Sequence, residues 1–186
     1  MIDIDTLPVV IISSPRTGST ALSLTLHEKL GGVLFNEPGL DSLKLNSFLR
    51  HAAMKKDFIL KEHVSTLLKN YPNFDTTGCT VIRIKRKDFI SQVVSSYISL
   101  RRKTWFYTEN SQAYQEEIIA YDENSLKECF SYIKNQNYIC DNYKGRVDIE
   151  LCHEDILTEF SNSQKTLLPK NYTDIVEWAK KIYEQA

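Results

Sequence analysis

Short, strongly apolar runs alternate along the chain with longer stretches of helical periodicity. The runs "LPVVII" (7–12), "VLFN" (33–36), "FILKEH" (58–63), "CTVIRIK" (79–85) and "RVDIELC" (146–152) are rich in Val, Ile and Leu, and they predict strands covered on both faces. The helical spacing predicts helices over about 18–30, 40–55, 64–70, 88–103, 111–138 and 171–185. Strands separated by helices read as βαβ units. The expected fold class is therefore α/β: three layers, with a central parallel sheet of about five strands flanked by helices. No repeat, low-complexity tract or Pro/Gly-rich linker interrupts the pattern, so a single domain over 1–186 is expected. In such a sheet, ligands bind beyond the carboxyl ends of the strands, and the residues that follow each strand matter most.

Composition narrows this picture only a little. The chain has 186 residues, 42% hydrophobic and 25% charged, ordinary for a globular protein with a substantial core. A formal net charge of -1 gives no general nucleic-acid-binding surface, so any basic patch is local. The first residues, "MIDIDTLP", are acidic and lack the basic region of a secretory leader, and the longest apolar run, Leu7 to Ile12, is too short to span a membrane. Cys79, Cys129, Cys140 and Cys152 form neither a CxxC pair nor a zinc spacing. The expectation is a cytoplasmic protein with reduced thiols, no membrane span, no metal and no nucleic-acid partner.

The first strand runs into "SSPRTGST" (13–20), and a helix follows. Strand, glycine-bearing loop and helix N-terminus form the layout of a phosphate cradle, in which backbone N–H groups point at an anion. Aligned on Gly18, the pattern GxxxxGK[ST] finds Ser13 at its first glycine and Ser19 at its lysine. The cation that reaches the β- and γ-phosphates of a triphosphate is thus missing. Arg16 supplies one positive charge from inside the loop. At this point an ordinary strand-to-helix turn capped by Ser14 or Thr17 remains the alternative.

"PRTGST" after an apolar strand resembles the 5′-phosphosulfate loop of sulfotransferases that use 3′-phosphoadenosine-5′-phosphosulfate (PAPS). The resemblance implies that Arg16 contacts the transferring sulfuryl group and that Pro15, Arg16, Thr17, Gly18, Ser19 and Thr20 form the 5′-phosphate site. "VIRIKRKDFISQVVSSY" is similar to the family's 3′-phosphate motif, an arginine at a strand end and a serine two helical turns on. Arg86 and Ser95 take those places at a spacing of nine residues, and Lys87, at eight, is the alternative to Arg86. "FILKEHV" resembles the Lys-Thr-His strand of cytosolic sulfotransferases, with Glu62 in place of threonine. It implies Lys61 on the sulfuryl group and His63 as general base, work that suits a histidine. "FNEPG" resembles the Gly-Glu segment of tyrosylprotein and bacterial glycolipid sulfotransferases, which makes Glu37 a second candidate base. An acidic residue starting the next helix is its other reading.

Weaker matches follow. "CHEDIL" (152–157) resembles a Tyr-Glu-Asp-Leu segment with His153 in the tyrosine's place, and Glu154 and Asp155 equally suit a helix start. "LRRKTWFY" (100–107) reads either as a border of the acceptor pocket or as a solvated helix end. Lys165 and Lys170 are the candidates for a C-terminal basic loop.

The resemblance implies transfer of a sulfuryl group from PAPS to a hydroxyl, with release of 3′,5′-ADP and no metal. The acceptor, whether small molecule, glycan or peptide, carries no signature. The chain is short for the family, so the acceptor site is either open or completed by a second subunit of a homodimer. Two alternatives stand beside this reading: a small P-loop nucleotide kinase or NTPase, and a non-catalytic nucleotide-binding protein of the same fold.

Overall fold

The computed structural model describes residues 4–54, 57–103, 117–160 and 168–185. Five strands are present: β1 (Val9–Ser13), β2 (Val33–Asn36), β3 (Phe58–His63), β4 (Thr80–Lys85) and β5 (Ile149–Cys152). They form one sheet in the order β2-β3-β1-β4-β5, and every neighbouring pair is parallel. The α/β class and the parallel five-stranded sheet are those expected from the apolar runs.

Seven helices accompany the sheet among the described residues: α1 (Ser19–Leu30), α2 (Ser42–Ala53), α3 (Val64–Asn70), α4 (Phe89–Arg102), α5 (Glu123–Asp141), α6 (His153–Phe160) and α7 (Tyr172–Glu184). A single 3-10 turn, Pro38–Leu40, precedes α2. Two elements differ from the periodicity. The helix expected over 111–138 begins at Glu123, and the described residues 117–122 before it are irregular. Tyr97 Oη holds this stretch, donating to Ala120 O at 2.8 Å and accepting from Asp122 N at 2.9 Å. Asp122 then caps the helix by taking Ser125 N at 3.1 Å. The other difference is α6, which starts directly at the end of β5 with no loop to announce it.

The described residues fall into two compact units, 1–87 with 136–161 and 88–135 with 162–186. The first holds the sheet. Central strand β1 is wholly buried, and its alternating side chains feed two separate cores. Val9 and Ile11 pack with Leu22 and Leu26 of α1 and Ile156 of α6. Val10 and Ile12 pack with Phe48 of α2, Val64 and Leu67 of α3 and Cys140 of α5. Helices therefore cover both faces, which is why β1 reads as a continuous apolar run. The second unit is a helical cluster in which Val93, Val94 and Tyr97 of α4 pack with Leu126 and Ile133 of α5 and Ile175 of α7. Among the described residues no helix is long and apolar enough to cross a membrane.

Candidate functional site

All the strands are parallel, so β1, β2 and β3 end at one edge of the sheet. The register sets Ser13 opposite His63 and Asn36 opposite Lys61. The loops after β1 and β2 thus meet the end of β3, and the candidate residues of three separate motifs come together in the first unit.

After β1 the chain turns through Ser14 to Gly18. Arg16 has φ 63° and Gly18 has φ 76°, both left-handed. Gly18 holds the N-cap position of α1 without a side-chain cap, and no acidic residue occupies the first turn of that helix. Thr17 does not cap either: its hydroxyl donates to Ser14 O at 3.0 Å. The ordinary capped turn is therefore not what forms. The first-turn N–H groups of a 12-residue helix are left to other acceptors. Gly18 is required twice over, by its positive φ and by space, since a Cβ there would lie 2.7 Å from His153 Nδ1. Ser13 and Ser19, the positions of the first glycine and the lysine in a triphosphate loop, bond to each other, Ser13 Oγ donating to Ser19 Oγ at 3.0 Å.

Glu37 follows β2. Its N–H continues the ladder to Lys61 O at 2.8 Å, and it precedes Pro38 with φ 50°. Proline disfavours the right-handed helical region in the residue before it, and the left-handed region costs a non-glycine residue roughly 1–3 kcal/mol. Three non-glycine residues have positive φ among those described: Arg16, Glu37 and Lys103. Two of the three are residues the sequence singles out for chemistry.

Lys61 and His63 lie on the same side of β3, and Glu37 bridges them. The Lys61 ammonium, 2% exposed, donates to Glu37 Oε1, and His63 Nε2 lies 3.1 Å from the same oxygen. A carboxylate only accepts, so Nε2 carries a proton. His63 Nδ1 is buried and meets no hydrogen-bond partner among the described residues. Burial pushes the Lys61 ammonium down, and the Arg16 charge adds to this; Glu37 and Glu62 oppose it. Burial would raise the Glu37 carboxyl, but the His63 hydrogen bond and the Lys61 charge outweigh it and hold the group at about 2, against an ordinary 4.5.

That shift is a statement about stability. A carboxylate held down in the folded state stabilises it fully above the ordinary value, and the contribution drains away as pH falls toward the depressed one. Urea unfolding at a series of pH values is expected to show wild-type stability falling between about 4.5 and about 2, with a shallower fall in Glu37→Gln.

Arg86, at the end of β4, donates from Nη1 to Arg16 O at 3.0 Å and so ties β4 to the loop. Lys87 is exposed, and its N–H donates to Glu154 at 3.1 Å, which gives that acid a local structural partner. Ser95 is half-buried on α4 and Lys170 is exposed just before α7, both in the second unit. Lys165 and residues 104–107 of "LRRKTWFY" lie outside the described residues.

One residue of the site stands in the sequence only as a departure from a motif, with no role of its own. Glu62, fully buried between Lys61 and His63 in the chain, accepts from His63 N at 2.9 Å, from Gly39 N at 2.9 Å and from Tyr71 Oη at 2.6 Å. Its signal in the sequence is an acid inside a strand otherwise covered on both faces, because a charge there must be met by donors.

No protein-family model matches the sequence, and neither does any curated protein. Among solved structures the chain is similar to a mouse sulfotransferase complexed with PAP, at 15% identity and a TM-score of 0.41. The match covers 94% of this chain and 66% of the mouse chain, just under two thirds of that protein's length.

Proposed function

We propose that the chain is a PAPS-dependent sulfotransferase acting on a hydroxyl acceptor. The observation that carries this reading is the Arg16 loop and the Lys61–Glu37–His63 cluster at one edge of one sheet. The loop offers α1 N–H groups and a glycine to the 5′-phosphate of the donor, and Arg16 offers a cation from within it. Sulfuryl transfer is an in-line displacement. The acceptor oxygen forms a bond to sulfur, the bond from sulfur to the phosphate oxygen breaks, and 3′,5′-ADP leaves with that electron pair. Positioning and charge stabilisation supply most of the catalysis. Arg16 and Lys61 neutralise charge on the sulfuryl oxygens and on the leaving oxygen.

The acceptor proton goes to the Glu37–His63 pair. Glu37, held at about 2, is ionised but weakly basic. Its hydrogen bond to His63 Nε2 joins the two candidate bases in one unit. Arg86 serves the 3′-phosphate in this reading, and it also braces Arg16. The reaction needs no metal, and the acceptor's identity lies outside these residues.

A nucleotide kinase or NTPase needs a cation where Ser19 stands, and the hydroxyl pair of Ser13 and Ser19 speaks against one reaching in from there. Thermal shift separates the readings. 3′,5′-ADP at a hundred times its Kd is expected to stabilise the fold by about 2.7 kcal/mol, with no response to Mg-ATP. The opposite pattern would support the kinase. A response to 3′,5′-ADP without transfer to any hydroxyl acceptor would support the non-catalytic protein.

A further inference from the structure

We infer that Glu62 and Tyr71 form a buried clip that positions Glu37 between Lys61 and His63, making both of them positioning residues for the reaction proposed above; the catalytic part of this inference rests on that proposal.

Glu62 lies on the side of β3 opposite Lys61 and His63 and has no exposure. A buried carboxylate is tolerated only when its oxygens are met by donors, and here all three partners donate. Two of them are backbone groups of the site itself. His63 N–H belongs to the end of β3, and Gly39 N–H belongs to the turn that carries Glu37. Glu62 therefore joins the strand that presents Lys61 and His63 to the turn that presents their carboxylate partner. Glu37 is pinned on both sides, by its own N–H on Lys61 O at 2.8 Å and, two residues on, by Gly39 on Glu62. Between those anchors it holds φ 50°, a conformation that persists in a non-glycine residue only where the surroundings over-determine it.

The third partner is the phenol of Tyr71, at 2.6 Å. Burial, with Glu62 alongside, pushes its ionisation far up, so the phenol remains a donor. Asn70 completes the turn by donating from Nδ2 to Gly39 O at 2.8 Å. The fit leaves no slack: a Cβ on Gly39 would come within 2.5 Å of Thr66 Cγ2 and within 2.8 Å of both Glu62 Oε2 and Tyr71 Oη. Glu62 also acts directly, since its charge helps Lys61 remain an ammonium despite burial.

Tyr71→Phe keeps the ring that packs on Phe48 and Phe74 and removes only the hydroxyl. Glu62→Gln puts an NH₂ group where a carboxylate oxygen met a donor. Two readouts are taken on each variant that folds, and Tyr71→Phe alone suffices if Glu62→Gln does not. The first needs no turnover: the Glu37 side-chain carbon is followed by ¹³C NMR at pH 4.5, the group's ordinary value. Wild-type Glu37 is expected to be ionised there, and the variants partly protonated. The second is kinetic. kcat for transfer is expected to fall about tenfold in Tyr71→Phe, the worth of one hydrogen bond to a charged group, and KM for PAPS to stay within about twofold. A folded Tyr71→Phe with the wild-type Glu37 signal and unchanged kcat overturns the clip. If the NMR signal moves as expected while the wild-type protein transfers to no acceptor, Glu62 and Tyr71 do position Glu37, and the sulfotransferase reading is what fails.

Discussion

An Arg16→Gly protein is expected to stay folded and to lose sulfuryl transfer by about a hundredfold or more. The two halves of this expectation have separate causes. Arg16 sits at φ 63°, which costs a non-glycine residue roughly 1–3 kcal/mol and a glycine almost nothing. The contact that braces the loop, Arg86 Nη1 on Arg16 O, is made to the backbone and survives the substitution. Against the relieved strain stands the extra freedom of glycine in the unfolded chain, about 0.5–1 kcal/mol. Calorimetry should therefore place the variant's Tm within a few degrees of wild type. Activity fails because the cation inside the loop is gone, and no lysine stands at position 19 to replace it. Arg16→Lys keeps a charge but not the planar fork and should recover only part of the rate. A folded Arg16→Gly protein with full single-turnover transfer would remove Arg16 from the mechanism. The strain is informative in itself: arginine is a poor choice for that backbone position unless its side chain is needed there.

Much of the fold was legible because the strands are short and the central ones carry apolar runs buried on both sides. In β1 every position but the last is apolar and feeds one of two cores, as does the first half of β3, Phe58 to Leu60, and those runs announce themselves. β2 and β3 begin and end where their runs do, and β4 differs from its run by one residue. The start of α5 was not legible. Helical periodicity runs through 117–122, and what stops the helix there is Tyr97, a partner from another element of the second unit. Tertiary hydrogen bonds of that kind leave no local trace.

The site divides in the same way. Arg16, Gly18 and Glu37 could each be picked out by type and by place after a strand, and Lys61 and His63 by type and by place at the end of one. Their relation could not. Glu37 and His63 stand as rival bases in the sequence because many residues separate them. Adjacency of β2 and β3 in the sheet, with Asn36 opposite Lys61, makes them partners through one carboxylate oxygen. Glu62 is the plainest case of a readable residue with an unreadable role. Its type and burial demanded donors, but Gly39 and Tyr71 come from a turn and a helix end whose approach only the folded chain displays.

Lys61→Met tests the other cation and is expected to be as damaging as loss of Arg16, by about a hundredfold in rate. Its effect on stability should be larger. The ammonium is 2% exposed and bound to Glu37, and removing one partner of a buried pair costs about 3–5 kcal/mol because the other charge is stranded. Here His63 still donates to Glu37, so the cost should fall toward the lower end. Without Lys61 the Glu37 carboxyl loses one of the charges that hold it at about 2, and its value should rise, which narrows the acid range over which it adds stability. Pairing Lys61→Met with Glu37→Gln removes both charges and should recover most of the stability while leaving transfer as slow as in Lys61→Met alone. Denaturant unfolding of the four proteins in that cycle gives the coupling between the two residues. A coupling near zero would mean that the pair does not hold the site together. A folded Lys61→Met protein with wild-type turnover would mean that the sulfuryl charge is met elsewhere, and the chemistry assigned to the end of β3 would have to move.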